Sequence, residues 1–314
     1  AFDWVIETAV ERHGINDPKA VQDLKNVLEI SIEFEEGLTA SDSQFSEFLV
    51  RTKNIVAGTL VGLGGRKLRL KENDFDWIII DEASRATASE LAIACQSGKR
   101  ILLVGDHKQL PPSYTDELIA KFKEILNIDG DVRSWLISDF ERIFTSNYGI
   151  ENGCLLGTQY RMDPVIGEMV STCFYEGKLT TGRTSRSDTF VSLLPQRLQG
   201  SSLIWYDTSS DPSMGKEKLA NQRTYCNINE AEAIVKLLEE LFENEKFVDE
   251  VSRIADPVGV ICMYSGQRDV IKKLIAGNRN LAAFVKKIKV DTVDSYQGKE
   301  NKIILLSTVR QNSQ

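Results

Sequence analysis

The segment that decides the fold is WIIIDEAS, which occupies residues 77–84. Its apolar run predicts a buried strand, and two adjacent carboxylates follow at the carboxyl end of that strand, where open parallel sheets bind ligands. Asp81 is therefore placed to hold a Mg²⁺ ion that bridges nucleotide phosphates, and Glu82 to orient or deprotonate an attacking water. The same two acids could simply end a strand and solvate a loop, so the segment alone leaves both interpretations open.

The next apolar run favours the catalytic interpretation. Residues 101–104, ILLV, continue directly into GDHKQLPP at residues 105–112, so two successive parallel strands are expected to end in polar residues at one edge of a sheet. Gln109 in that position can hydrogen-bond a γ-phosphate or its attacking water. His107, taken alone, is better interpreted as a loop side chain than as a catalytic base.

After Asn54, short apolar runs alternate with helix-like segments, which is typical of parallel α/β architecture. The runs are apolar throughout, so strands buried on both faces are expected. Before them, residues 1–52 are predicted to be helical, with Asp17 capping one helix and Pro18 in its first turn. The predicted strands are residues 55–57, 77–80, 101–104, 203–206, 258–262, 290–293 and 303–306.

The pattern also predicts a helix after Cys226 and a domain boundary before it. Asn229 is expected to cap that helix, with Glu232 completing a capping box. The turn-forming residues between 147 and 153 mark the best boundary between domains. Residues 179–222, which contain many Ser, Thr, Gly and Asp, are expected to form a loop-rich surface around one strand.

The composition is that of an ordinary globular protein and excludes some classes. The 314 residues are 42% hydrophobic and 27% charged, and no apolar run approaches the roughly 20 residues of a membrane span. Five cysteines without a C-x-x-C pair, beside only two histidines, disfavour a zinc site and favour reduced thiols in a cytoplasmic protein, or a nuclear one in a eukaryote. The net charge of −8 argues against a simple basic nucleic-acid-binding domain, but not against a channel with local basic and stacking groups.

Taken together, the motifs resemble those of superfamily 1 helicases of the Upf/Dna2/senataxin-like branch. Their ordered combination is far more specific than any one of them. Four segments match numbered motifs: DEAS at 81–84 (motif II), GDHKQLPP at 105–112 (motif III), MYSGQR at 263–268 (motif IV) and VDSYQGKE at 293–300 (motif V). AGTLVG at 57–62 is similar to a segment that contacts the nucleic-acid backbone in this family. QYRMDP at 159–164 resembles the segment that opens the second motor domain.

The resemblance implies roles for individual residues. In the nucleotide site, Tyr160 would stack on the adenine base and Arg161 would act as an arginine finger from the second domain. Gly298 would approach the phosphates and Glu300 would bind the ribose. The residues that would line the nucleic-acid path are Thr59, Pro111, Gln267, Thr292 and Asp294. Without the context of the motifs, Tyr160 and Tyr264 would be interpreted as ordinary core or surface aromatics, and Arg161 as a residue in a surface ion pair.

The sequence departs from the family pattern in two respects. It contains no G-x-x-x-x-G-K-[ST] phosphate-binding loop, and the glycine-rich segment at 62–67 has neither that spacing nor the following Ser or Thr. It also ends before the motif VI that would supply another nucleotide-contacting Arg. Because the internal motifs keep their chemically demanding residues, we expect a fragment of a longer protein, inactive by itself, whose loop comes from a further domain or a partner chain.

The resemblance implies an α/β protein with two RecA-like, P-loop-NTPase-type domains, parallel sheets and an N-terminal helical insertion. The expected bounds are 1–52 for the insertion, 53–152 for the first domain and 153–314 for the second. ATP and Mg²⁺ would bind between the domains, and single-stranded DNA or RNA would run across their top, in a motor that usually moves 5′ to 3′. Two alternatives stay open: a non-hydrolysing helicase-like scaffold for nucleic acid or proteins, and a helicase module of a larger nuclease or defence protein.

Overall fold

A computed structural model describes residues 2–39, 42–64, 75–127, 132, 136–186, 188–207, 216–220 and 224–310. The chain separates into two units, Ala1–Cys154 and Leu155–Gln314. Parts of two predicted features, the glycine-rich segment at 62–67 and the loop-rich stretch at 179–222, lie outside the described residues. In the described part of the chain, no helix combines the length and apolarity that crossing a bilayer requires.

The first unit begins with three helices, which lie in the segment that the sequence predicts to be helical. Asp17 lies just before the second helix, where its Oδ1 accepts a hydrogen bond from the backbone N–H of Lys19 at 3.0 Å. This carboxylate and the helix-compatible ring of Pro18 set the start of that helix. The three helices are α1 (Phe2–His13), α2 (Pro18–Thr39) and α3 (Asp42–Thr52).

A strand–helix–strand segment follows, and Asp81, Glu82 and Gln109 come after the ends of its two strands. Strands β1 (Phe75–Ile80) and β2 (Gly98–Leu103) are parallel, with Ile80 opposite Leu103, and the helix between them packs on β1. Their carboxyl ends therefore lie at the same edge of the sheet, as predicted. The helices of this part of the chain are α4 (Leu60–Leu63), α5 (Ala88–Cys95), α6 (Asp116–Leu126), α7 (Asp139–Thr145) and α8 (Asn147–Asn152).

The second unit is built around a parallel sheet with helices packed against it. Strand β7 (Val258–Cys262) is central and is paired with β8 (Ile288–Thr292) on one side and β9 (Ile303–Ser307) on the other. Its elements are β3 (Thr158–Gln159), α9 (Pro164–Phe174), β4 (Thr180–Thr181), α10 (Asp188–Ser192), β5 (Lys218–Ala220), β6 (Thr224–Cys226), α11 (Ile228–Phe242), α12 (Glu245–Val251), β7 (Val258–Cys262), α13 (Ser265–Gly277), β8 (Ile288–Thr292), α14 (Val293–Tyr296) and β9 (Ile303–Ser307).

The core of the second unit explains why β7 is an uninterrupted apolar run. Val258, Val260 and Cys262 are fully buried, and they pack with the apolar stripe of α11, which includes Leu238 and Leu241. A central strand of a parallel sheet is covered on both faces, so polar residues would be costly there. The expectation of strands buried on both faces is confirmed for β7.

Two predicted strands are absent and one cap is displaced. Residues 55–57 and 203–206 pair with no strand among the described residues, and Ile55 and Trp205 are 86% and 80% exposed. An apolar run without a ladder partner does not form a strand, because its backbone groups are better satisfied by water. Asn227 rather than Asn229 caps α11, and its Oδ1 accepts from the N–H of Glu230 at 3.2 Å.

Strands β1 and β2 differ from the expected burial. Ile80 packs in a small core with Leu91 and Phe140, whereas Trp77 and Ile79 are 54% and 66% exposed. Alternate residues of a strand point to opposite faces, so the described part of this unit covers one face of the two-stranded sheet and leaves the other largely open.

Candidate functional site

Asp81 and Glu82 follow β1 directly, at the edge of the sheet where the sequence predicts them. Both are exposed. Glu82 has the left-handed backbone conformation (φ 54°), and its N–H donates to Oδ1 of Asp81 at 3.0 Å. This uncommon conformation ends the strand and turns the chain into a short 3₁₀ helix, Ala83–Arg85. Non-glycine residues in this region persist only where the surrounding structure offsets the strain, and they are found more often at functional sites.

The loop after β2 meets this turn through hydrogen bonds and a close backbone approach. The N–H of Ala83 donates to the carbonyl of Val104 at 2.8 Å, and the N–H of Asp106 donates to the buried Oγ of Ser84 at 3.3 Å. A Cβ on Gly105 would lie 2.9 Å from the backbone nitrogen of Ser84, so glycine is required for this approach. The two polar segments that follow β1 and β2 are thus joined into one surface.

Gln109 lies on this joined surface and is held by a residue that sequence reasoning did not single out. Its Nε2 donates to Oδ2 of Asp106 at 2.7 Å, and its backbone N–H donates to the carbonyl of Asp106 at 3.1 Å. The other carboxylate oxygen of Asp106 accepts from the N–H of Lys108 at 3.0 Å. An aspartate followed by such a turn is a recognisable local pattern, so the sequence did contain a signal for Asp106.

The carboxylates suit one class of metal ion. No group of three or more His, Cys, Asp and Glu side chains that could hold a metal is found within the described ranges. A Mg²⁺ ion needs no such cage, since it usually keeps several waters and is held by one or two carboxylates together with substrate phosphates. The exposed Asp81 carboxylate fits that requirement.

The segment containing Tyr160 and Arg161 is shaped by Gln159, whose role sequence reasoning missed. The Oε1 of Gln159 accepts from the N–H groups of Arg161 and Met162 at 2.9 and 2.7 Å, and its Nε2 donates to Oγ1 of Thr181 at 2.8 Å. Because this amide satisfies the turn internally, the Tyr160 and Arg161 side chains project outward and are exposed.

Two glycines leave room at this surface. A Cβ on Gly182 would lie 2.3 Å from the ring of Tyr160, so only glycine allows the ring to rest on the backbone there. Gly298 has a left-handed backbone (φ 74°), and within the described chain no atom beyond Gly298 and its two neighbours in sequence lies within 4 Å of the position that its Cβ would occupy. Gly298 is also exposed, and a glycine in such a position leaves space for close approach to the backbone.

The structure brings Arg161 and Glu300 together. The Nε of Arg161 lies 3.2 Å from Oε2 of Glu300, and both side chains are largely exposed. The guanidinium of Arg183 donates to the backbone carbonyl of Arg161. Two of the residues that the sequence assigns to nucleotide binding are therefore neighbours within the second unit.

Four of the five predicted nucleic-acid-contacting residues are accessible or partly accessible. Thr59 is exposed and caps α4, its Oγ1 accepting from Gly62 at 3.1 Å. Pro111 is exposed in the loop after β2. Thr292 ends β8 at the carboxyl edge of its sheet, and Asp294 is exposed in the first turn of α14.

Gln267 is the exception, and its burial contradicts the prediction. The side chain has no exposed area. Its Oε1 accepts from the N–H of Asn227 at 2.8 Å, and its Nε2 donates to the carbonyl of Asn227 at 3.1 Å. Both polar ends are thus engaged by the backbone of one buried residue, Asn227. Gln267 joins the start of α13 to the start of α11 and does not line a surface path.

A second network, at the end of β9, was not predicted. The Glu230 carboxylate accepts from Oγ of Ser307 at 2.8 Å and from the N–H of Val309 at 3.1 Å. Val309 is fully buried with φ 70°, which is rare for a β-branched residue. The guanidinium carbon of Arg310 lies 5.2 Å from the ring centroid of Tyr225. Burial, reinforced by the Glu230 charge, raises the pKa of the nearby Cys262 to about 12.

Known protein families match the chain along most of its length. A family model described as an AAA domain matches residues 136–314, more than half of the chain, and a second model of the same description matches residues 6–117. The chain is 32% identical to the ATP-dependent helicase NAM7 of Saccharomyces cerevisiae over an alignment that covers 96% of this chain. The chain belongs to the superfamily 1 helicases of the Upf1/Sen1-like group.

Other relatives agree with this placement in the helicase family. The chain is 29% identical to the ATP-dependent helicase upf1 of Schizosaccharomyces pombe over 90% of its length, and 29% identical to helicase sen1 of the same organism over 84%. It spans 29%, 28% and 14% of the lengths of the NAM7, upf1 and sen1 helicases, respectively. This helicase-family chain therefore corresponds to less than a third of each of these relatives.

Proposed function

We propose that this chain forms part of a nucleic-acid-dependent ATPase, a helicase motor that translocates on single-stranded DNA or RNA, in the 5′ to 3′ direction. The observation that carries the proposal is the sheet edge in the first unit. There, two neighbouring parallel strands end in Asp81–Glu82 and in the loop that holds Gln109. Membership of a helicase family gives this constellation its substrate, ATP.

In the first unit, the roles follow from chemistry and position. Asp81 would hold a Mg²⁺ ion, which neutralises charge on the phosphates when it is bound. Glu82 accepts a proton from the attacking water or orients that water, and Gln109 contacts the same water or the γ-phosphate. The sequence has no phosphate-binding loop of the G-x-x-x-x-G-K-[ST] type, so we propose that a further segment or a partner chain supplies it.

In the second unit, Arg161 is proposed as the arginine finger that stabilises charge on the transferred phosphoryl group. Tyr160 would stack on adenine, Gly298 would admit the phosphates and Glu300 would bind the ribose. The exposure of Tyr160 and Arg161, and the open space beside Gly298, support this assignment. The ion pair between Arg161 and Glu300 also supports it, because residues that bind one ligand are expected to be neighbours.

The nucleic-acid path is proposed to use Thr59 and Pro111 of the first unit and Thr292 and Asp294 of the second. We further propose a helical insertion at residues 1–52, a first motor domain at 53–152 and a second at 153–314. A cytoplasmic or nuclear location is proposed as well. DNA and RNA are equally compatible, because stacking and backbone contacts depend little on sequence.

The test is ATP hydrolysis by a protein that contains this chain together with a phosphate loop. Single-stranded oligonucleotide should stimulate hydrolysis, and Asp81→Ala should abolish the stimulated rate. Asp116→Asn, at an exposed aspartate of the same unit, is the matched control and should behave like the wild type. Absence of stimulated hydrolysis in the wild type would overturn the proposal.

A further inference from the structure

The Asp106–Gln109 hydrogen bond constrains what Gln109 can do. A glutamine amide can present either its carbonyl oxygen or its NH₂ group in a given direction, and the two orientations have opposite hydrogen-bonding character. An ionised carboxylate only accepts hydrogen bonds. The 2.7 Å contact with Oδ2 of Asp106 must therefore be made by Nε2 of Gln109, because the opposite orientation would bring two acceptor oxygens together.

The opposite end of the amide is available. Gln109 is exposed, and within the described residues no group donates a hydrogen bond to its Oε1. Its backbone is also fixed, since its N–H donates to the carbonyl of Asp106 at 3.1 Å. The result is a carbonyl oxygen held in a defined direction at the sheet edge that carries Asp81 and Glu82.

Asp106 is itself connected to the turn that carries those carboxylates. Its N–H donates to Oγ of Ser84, which is buried, and Ser84 lies two residues after Glu82. Its Oδ1 accepts from the N–H of Lys108, so both carboxylate oxygens are used in shaping the loop. A path of hydrogen bonds and short chain links thus runs from the Asp81–Glu82 turn through Ser84 and Asp106 to Gln109.

We infer that Asp106 is a positioning residue that fixes the Gln109 amide with its carbonyl oxygen toward the attacking water, so that Gln109 accepts a hydrogen bond from the nucleophile. This inference rests on the proposed function and deepens it, since the glutamine could otherwise act as a donor to the γ-phosphate. In the step concerned, the water oxygen bonds to the γ-phosphorus and the bond to the β,γ-bridging oxygen breaks. ADP leaves with that electron pair, and the water proton passes toward Glu82.

The informative variant is Asp106→Asn. Its remaining carbonyl oxygen can still accept from the N–H of Lys108, which preserves the loop. Its NH₂ group, however, would face Gln109 and favour the reversed amide, with Oε1 turned away from the water. In the protein that carries the phosphate loop, with saturating single-stranded oligonucleotide, we expect kcat for ATP to fall about tenfold through lost orientation of the nucleophile. KM for ATP should stay within about twofold.

A double-variant comparison separates positioning from a general structural role. In the Gln109→Ala background, Asp106→Asn should cause no further loss of kcat, because the residue acts through Gln109. Asp116→Asn is the control and should match the wild type. Either an unchanged kcat in Asp106→Asn, or a further loss in the double variant comparable with the single loss, would overturn the inference.

A second measurement uses residues 1–314 and needs no activity. The side-chain NH₂ signals of Gln109 are identified in an amide NMR spectrum by their absence in Gln109→Ala. The chemical shifts of these signals should change in Asp106→Asn and stay the same in Asp116→Asn. Unchanged chemical shifts in Asp106→Asn would contradict the positioning contact. If the contact is seen but the wild-type protein with its phosphate loop hydrolyses no ATP, the proposed function fails and the water-orienting role falls with it.

Discussion

The Nε of Arg161 lies 3.2 Å from Oε2 of Glu300, although the two residues are 139 positions apart. In the function proposed above, Arg161 contacts the γ-phosphate and Glu300 the ribose of the same nucleotide. Both side chains are mostly exposed, so water screens their attraction and the pair contributes little to stability. An ion pair of this kind can be exchanged readily for contacts with a bound nucleotide.

The weakness of this pair can be measured in residues 1–314. Glu300→Gln removes the charge but keeps the shape, and we expect the free energy of unfolding to fall by less than about 1 kcal/mol. Urea unfolding followed by circular dichroism provides the measurement, and Glu176→Gln, which removes another exposed ion pair with Lys178, is the matched control. A loss above about 2 kcal/mol for Glu300→Gln alone would show that the pair is a structural element.

Loss of the Glu82 carboxylate should affect ATP hydrolysis much more than it affects ATP binding. In the protein that carries a phosphate loop, Glu82→Gln should retain binding of ATP with Mg²⁺ and lose nucleic-acid-stimulated turnover, because the Asp81 carboxylate remains while the water-orienting carboxylate is gone. Binding is followed with a fluorescent ATP analogue and turnover by phosphate release. Near-normal steady-state turnover by this variant would contradict the assignment.

Residues 1–314 alone should hydrolyse no ATP above background. The sequence contains no phosphate-binding loop, and the backbone N–H groups and lysine of such a loop supply most of the phosphate binding in these enzymes. The assay is phosphate release with Mg²⁺ and single-stranded oligonucleotide. A robust rate that Asp81→Ala removes would show that the chain binds phosphate in some other way.

Nucleic-acid binding is expected despite the net charge of −8. Affinity should be higher for single strands than for duplexes and should decrease steeply with salt, because counterions are released when phosphates are bound. Fluorescence anisotropy over a range of salt concentrations, with single- and double-stranded probes of one sequence, gives both quantities. Tight and salt-independent binding to duplex alone would contradict the proposed path.

The elements that were predicted correctly are those whose signal is local. The apolar runs of β1, β2 and β7 and the cap at Asp17 depend on neighbouring residues, so periodicity and helix-start chemistry were sufficient. The run at 203–206 was misassigned, because a strand also requires a hydrogen-bonding partner that a local pattern does not specify. The cap at Asn227 was missed for a similar reason: Asn229 is equally suited by type, and the end of β6 at Cys226 decides between them.

The same difference between local and long-range signals explains which site residues were located correctly. Asp81, Glu82 and Gln109 were located correctly at the sheet edge because each directly follows or closely follows a strand. The contact between Arg161 and Glu300, and the burial of Gln267, depend on partners far along the chain. Motif resemblance assigns such residues a role but gives no information on whether the side chain is accessible.

The burial of Gln267 leads to a prediction that opposes its assignment from sequence. Gln267→Ala removes both hydrogen bonds to the backbone of Asn227. The buried N–H of Asn227 loses its Gln267 acceptor, whereas the carbonyl of Asn227 keeps the hydrogen bond that it accepts from the N–H of Ala231 at 3.0 Å. A buried N–H that loses its acceptor costs about 1 to 3 kcal/mol, so the free energy of unfolding should fall by about that amount. Gln196→Ala, at an exposed glutamine of the same unit, is the matched control and should change it by less than about 0.5 kcal/mol.

Two further measurements decide between the structural and the nucleic-acid-contacting role of Gln267. Under conditions where Gln267→Ala and Gln196→Ala both remain folded, their affinity for single strands should agree with that of the wild type within about twofold. The reason is that the Gln267 side chain is not at the surface. Gln267→Glu should be more destabilising at neutral than at acidic pH, since its ionised carboxylate would face the carbonyl of Asn227 that Nε2 of Gln267 now contacts. If Gln267→Ala instead unfolds like the wild type and loses single-strand binding, the assignment made from sequence is right, and Gln267 reaches the nucleic acid in a conformation other than this one.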